Sequence, residues 1–249
     1  MDPELKYCAK SQGRTGVAAG LFLVGIAILL CVFRGHPERA IDAGRMTMAQ
    51  VDVARMTTVL FVLGPLAALL FGYAGSLMFL YDSTADTQSL VLWGRKFGEK
   101  TVFPRMMLFV TVAMAAPLVA VSLLSNIYWD LPAGALWMAS FATILYVSGI
   151  AMAVATGTGN WIAGLISVVL VAAYFGFTAP SGPVQTYPLK ELADPFYLLH
   201  HPQLVSGGLF NYGKEGPMYL VNQTWNIVVG ALLFGGSSYY FSTNLRRYL

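Results

Sequence analysis

Long uncharged runs, broken by short polar stretches bearing proline or glycine, dominate the 249-residue chain. A helix needs about 20 mostly apolar residues to cross a membrane. The pattern predicts six such spans: Gly16–Phe33, Thr58–Tyr81, Met106–Tyr128, Gly134–Thr156, Trp161–Thr178 and Thr224–Leu245. From Met106 to Leu189 the single charged residue is Asp130. The breaks within that stretch, "WDLPAG" and "TGTGN", read as tight turns between helices. The expectation is an all-α integral membrane protein in which residues 1–249 form one transmembrane domain.

Three stretches depart from the apolar pattern. Arg34–Thr57 is short and mixed in charge, and Met46–Met56 reads as an amphipathic helix lying at the membrane interface. Asp82–Arg105 is a charged loop between the second and third spans. Ala179–Gln223 is the longest and contains six prolines, yet it also carries Tyr187, Phe196, Tyr197, Leu198, Leu199 and Phe210. A solvated linker would be less apolar. The segment is expected to dip back into the membrane or to pack over helix ends, where protein buries its backbone.

Composition sharpens this picture. Hydrophobic residues make up 57% of the chain and charged residues 11%, against about 25% charged in soluble domains. Mean hydropathy is +0.63. A net charge of +3 gives no nucleic-acid footprint. Cys8 and Cys31 lack metal or disulfide spacing. The first apolar run lacks a clear cleavage site and reads as a retained helix. With the N-terminus cytoplasmic, Lys6, Lys10, Arg14, Arg95, Lys96, Lys100, Arg105, Arg246 and Arg247 fall inside. Arg34, Arg39, Arg45, Arg55, Lys190 and Lys214 then fall outside. The bias places both termini in the cytoplasm.

Candidate chemistry is sparse. "SLVLWGRKFGEKT", Ser89–Thr101, approaches a phosphate-binding loop, but Glu99 separates Gly98 from Lys100 and would set a carboxylate beside the phosphates. His200 and His201 are adjacent, so they do not share a face, and no third ligand lies close in sequence. Asn222-Gln223-Thr224 is a glycosylation sequon abutting the last span, read as unused. Gly72, Gly75, Gly230, Gly235 and Gly236 permit close helix contact, and Pro65 and Pro117 can kink their helices. None of the six spans carries an ionisable residue away from its ends. That argues against proton-coupled transport. The scarcity of histidine argues against a redox enzyme. No catalytic residue, cofactor or metal site is predicted on this chain.

The layout resembles the permease subunits of ABC-2-type ABC transporters. The resemblance rests on "YDSTADTQSLVLWGRKFGEKTVFPRMML" after the second span and on the small-residue segment "LYVSGIAMAVATGTGNWIAGLISVVL". It rests also on "PLKELADPFYLL" before the last span. The chain departs from the family pattern in lacking a glycine before Thr87 and a proline after the aliphatic stretch, and Arg105 stands where a lysine is common. The resemblance implies six transmembrane helices, a cytoplasmic coupling helix within Asp82–Phe103 and a long re-entrant loop between helices five and six.

In that reading Asp82, Asp86, Gln88, Arg95, Lys96, Glu99 and Lys100 contact a separate ABC ATPase subunit, with Leu90, Leu92 and Trp93 as apolar anchors. ATP and Mg would sit on that partner. Pro188, Leu189, Pro195, Phe196 and Tyr197 would belong to an outer gate. A second permease chain would complete a homo- or heterodimer in a cell membrane, expected to be a bacterial inner membrane. The uncharged path points to export of a hydrophobic or amphipathic substrate. The alternative is a non-transporting integral subunit of a membrane enzyme or respiratory complex, with His200 and His201 near a cofactor or partner. A passive channel ranks third.

Overall fold

Pro65, inside an apolar run, shapes the longest rod among the described residues. The structure, a computed structural model, describes residues 18, 20–26, 29, 48–85, 114–129, 131–177, 188–201, 204 and 215–243. Helix α1 (Met48–Phe61) runs into a π-helical turn (Val62–Leu66), which runs into α2 (Ala67–Ala85). Proline has no N–H, and its ring crowds the carbonyl of the preceding turn. The widened π turn absorbs both defects: the Ala67 N–H reaches back to the Val62 carbonyl, and Phe61 and Ala67 keep helical dihedrals. At 1.5 Å per residue the continuous rod is about 57 Å long. The helix expected at Met46–Met56 forms over its described part, Met48–Met56, and continues into this rod without a break. Nothing between Met56 and Thr58 breaks a helix, and Val51, Met56, Val59 and Leu60 all face the core.

The remaining helices are α3 (Ala116–Trp129), α4 (Ala133–Thr158), α5 (Trp161–Phe177), α6 (Pro188–Ala193), α7 (Tyr197–His200) and α8 (Glu215–Thr243). The described parts of the first predicted span, residues 20–26 among them, are helical as well. Residues 106–113 of the third predicted span lie outside the described residues. No strand occurs among the described residues. Both predicted turns form. Gly159 ends α4 at φ 67°, the left-handed region that a side chain would strain. Asn160 then caps α5, its Oδ1 accepting from the Ile162 N–H at 2.9 Å. Before α4, the Asn126 amide donates to the Leu131 carbonyl at 2.7 Å.

α4 is the central helix and packs on α8, α2, α5 and α3. Its crossing with α8 is backbone-close. A Cβ at Gly230 would lie 2.9 Å from the backbone of Leu145 and Tyr146, and one at Gly149 would lie 2.9 Å from the Gly230 carbonyl. Gly164 of α5 presses similarly on the Ala151 carbonyl, and Gly72 of α2 faces Val168. Small residues at these crossings let dispersion contacts form between backbones. Gly235 and Gly236, expected to serve the same end, are exposed and meet nothing within 4 Å. At 100° per residue they sit about 140° and 120° around the helix from Gly230, on its outer face.

Among the described residues, two stretches are long and apolar enough to cross a membrane: Val53–Ser76, with mean hydropathy 1.9, and Ala133–Thr158, with 1.8. Ala116–Tyr128 and Trp161–Gly176 are apolar but shorter. The outer surface is apolar too. Leu21, Ile127, Ile166, Leu170, Val228 and Leu232 are all exposed. The buried polar side chains are mostly serine and threonine. Many of their hydroxyls donate to carbonyls one turn back, as Ser125 does to Val121 and Ser237 to Leu233.

Candidate functional site

The buried stripe of α8 runs Tyr219, Asn222, Gln223, Asn226, Gly230, Phe234, Ser237, Phe241. Its spacing of three and four residues is that of one helix face. What is unusual is its first half, where three amide side chains sit at 0%, 8% and 0% exposure. α6, only six residues long, leaves its last carbonyls without intrahelical donors. Asn222 supplies them from another helix. Its Nδ2 donates to the carbonyls of Glu191, Leu192 and Asp194 at 2.8, 3.0 and 2.8 Å.

Asp194 then turns the chain. Its Oδ1 accepts from the Phe196 N–H at 2.8 Å, which closes a side-chain turn and starts α7. Its Oδ2 lies 3.5 Å from His200 Nε2. That nitrogen is also 2.9 Å from the Phe175 carbonyl at the end of α5. A carbonyl only accepts, so Nε2 carries a proton. The Thr143 hydroxyl of α4 donates to the Pro195 carbonyl. His201 lies against the ring of Tyr197, with centroids 4.5 Å apart. The segment Pro188–His201 is thus tied to α4, α5 and α8, with Phe196, Tyr197 and Leu198 buried beneath it.

The predicted gate residues fall on this segment. Pro188 and Leu189 begin α6, Pro195 and Phe196 form the turn, and Tyr197 opens α7. Asp82 lies in the last turn of α2 rather than in a loop. Asp86, Gln88, Leu90, Leu92, Trp93, Arg95, Lys96, Glu99 and Lys100 lie outside the described residues. Both histidines are engaged within the chain, and no group of three or more His, Cys, Asp or Glu is arranged for a metal among the described residues. Asn222, the first residue of the sequon, is a fully buried structural donor. Sequence reading missed the amide cluster. Its signal was three amides at i, i+1 and i+4 where an apolar helix begins. No family model, curated protein or solved structure matches the chain.

Proposed function

We propose that the chain is the membrane-spanning permease subunit of an ATP-driven ABC transporter, exporting a hydrophobic or amphipathic substrate. The observation that carries this reading is the segment between α5 and α8. Between the last two apolar helices it folds back as short helices, α6 and α7, and buries Phe196 and Tyr197 against the bundle. A re-entrant outer gate has that character. Multi-pass insertion by six spans is supported by two helices of spanning length and by the apolar exterior of α3, α5 and α8. In this reading ATP and Mg act on a separate ATPase, and two permease chains open alternately as ATP shifts their equilibrium.

Affinity purification of the tagged chain from its native host, in mild detergent, tests the reading. An ATPase bearing a phosphate-binding loop is expected to co-purify, and reversing Asp86 or Arg95 is expected to release it. Recovery of redox or catalytic subunits in its place would favour the non-transporting alternative.

A further inference from the structure

We propose that one water molecule is bound where the π turn, α4, α7 and α8 meet, held by the side-chain carbonyl of Gln223. The polarity of the amide cluster is fixed from outside. Asn222 Nδ2 faces three backbone carbonyls, which only accept, so Asn222 Oδ1 must point the other way. There it accepts from Gln223 Nε2 at 3.1 Å and from Asn226 Nδ2 at 3.2 Å. Flipping either amide would set oxygen against oxygen. The network therefore ends in acceptors. Gln223 Oε1 and Asn226 Oδ1 are buried and receive no hydrogen bond from the described residues. A buried acceptor in that condition needs a donor.

Gln223 lines a cavity of about 20 Å³, together with Leu60, Gly64, Ser140, Thr143 and Pro195. That volume accommodates a single water. Its polar lining is also acceptor-rich. The Ser140 hydroxyl proton is given to the Leu136 carbonyl and that of Thr143 to Pro195, which leaves lone pairs on both oxygens. Water brings two donors to such a place. A bare cation is disfavoured because no carboxylate lines the cavity and Leu60, Ala139, Phe196, Leu198 and Leu199 make much of its wall apolar. The bound water would link the π turn to the folded-back segment, and the inference does not depend on the transport reading.

The test is a structure of the full chain in lipid at a resolution that shows solvent, for the wild type and for Gln223→Met. Methionine keeps the side chain's length and removes its carbonyl. A single solvent peak about 2.7–3.2 Å from Gln223 Oε1 is expected, and its loss in the variant. Absence of the peak in the wild type, or its persistence in Gln223→Met, overturns the proposal. Thermal unfolding in sodium chloride and in choline chloride is expected to give the same midpoint. A midpoint raised by sodium would identify a cation site and overturn the assignment to water.

Discussion

The two halves of α8 meet the rest of the chain by opposite means. Around Gly230 the helix has no side chain, and α4 approaches to backbone contact. Around Asn222 it has three polar side chains, and a folded-back segment is held to it by directed hydrogen bonds. The glycine crossing tolerates any donor pattern but no added volume. The amide cluster tolerates modest volume change but no loss of a donor. One helix therefore carries a steric constraint and a polar constraint two turns apart, and each fails in its own way.

The largest expected effect lies at the crossing. Gly230→Leu puts a side chain into the backbone of Leu145 and Tyr146 and should cost about 3 kcal/mol. Fluorescence-detected gel filtration after heating would show it as a lowered melting midpoint or as loss of the monodisperse species. Next comes Asn222→Asp, which is nearly isosteric but turns a shared donor into an acceptor facing three carbonyls. A loss of about 2–3 kcal/mol is expected. Unlike the glycine change, it should act locally first, giving faster amide exchange and easier proteolysis within Pro188–His201. If that segment stays protected in Asn222→Asp, the polar constraint is misassigned.

Thr143→Val removes one bond to the same segment and should cost about 1 kcal/mol, read as a shift in thermal midpoint. Smallest of all, Gly235→Ala and Gly236→Ala should raise the stability of the isolated chain by about 0.5–1 kcal/mol, since both positions are exposed within a helix that alanine favours. A large loss at either would mean that this outer face is covered in the protein as purified, and size-exclusion light scattering would show whether a second copy covers it.

Much of the helical layout was legible beforehand. The turns at Leu131–Pro132 and Gly159–Asn160 are written in local chemistry: a proline that cannot continue a helix, a glycine that takes positive φ, an asparagine that caps. The aromatic content of Ala179–Gln223 announced a segment too apolar for solvent, and Phe196, Tyr197 and Leu198 are buried. Less legible was which glycines face inward. Gly230 and Gly235 look alike in sequence, and only the rotation of α8 about its axis separates them. Least legible was the role of Asn222. Its partners, Glu191, Leu192 and Asp194, lie 28 to 31 residues away, so no local pattern names them.

The sequence by itself determined that the described chain is helical, that long parts of it suit an apolar environment, and where its tight turns fall. These follow from properties each residue has regardless of its neighbours in space: missing N–H groups, allowed dihedrals, apolar area per residue. Only the tertiary structure decided that Pro65 is absorbed by a π turn rather than ending a helix, because packing of Leu60, Val62 and Leu63 in the core favours continuity on both sides. Only it decided that Asn222 is a donor to another helix. A hydrogen bond needs both partners placed to within a few tenths of an ångström, and that placement comes from the packing of α6 and α8, not from either segment alone.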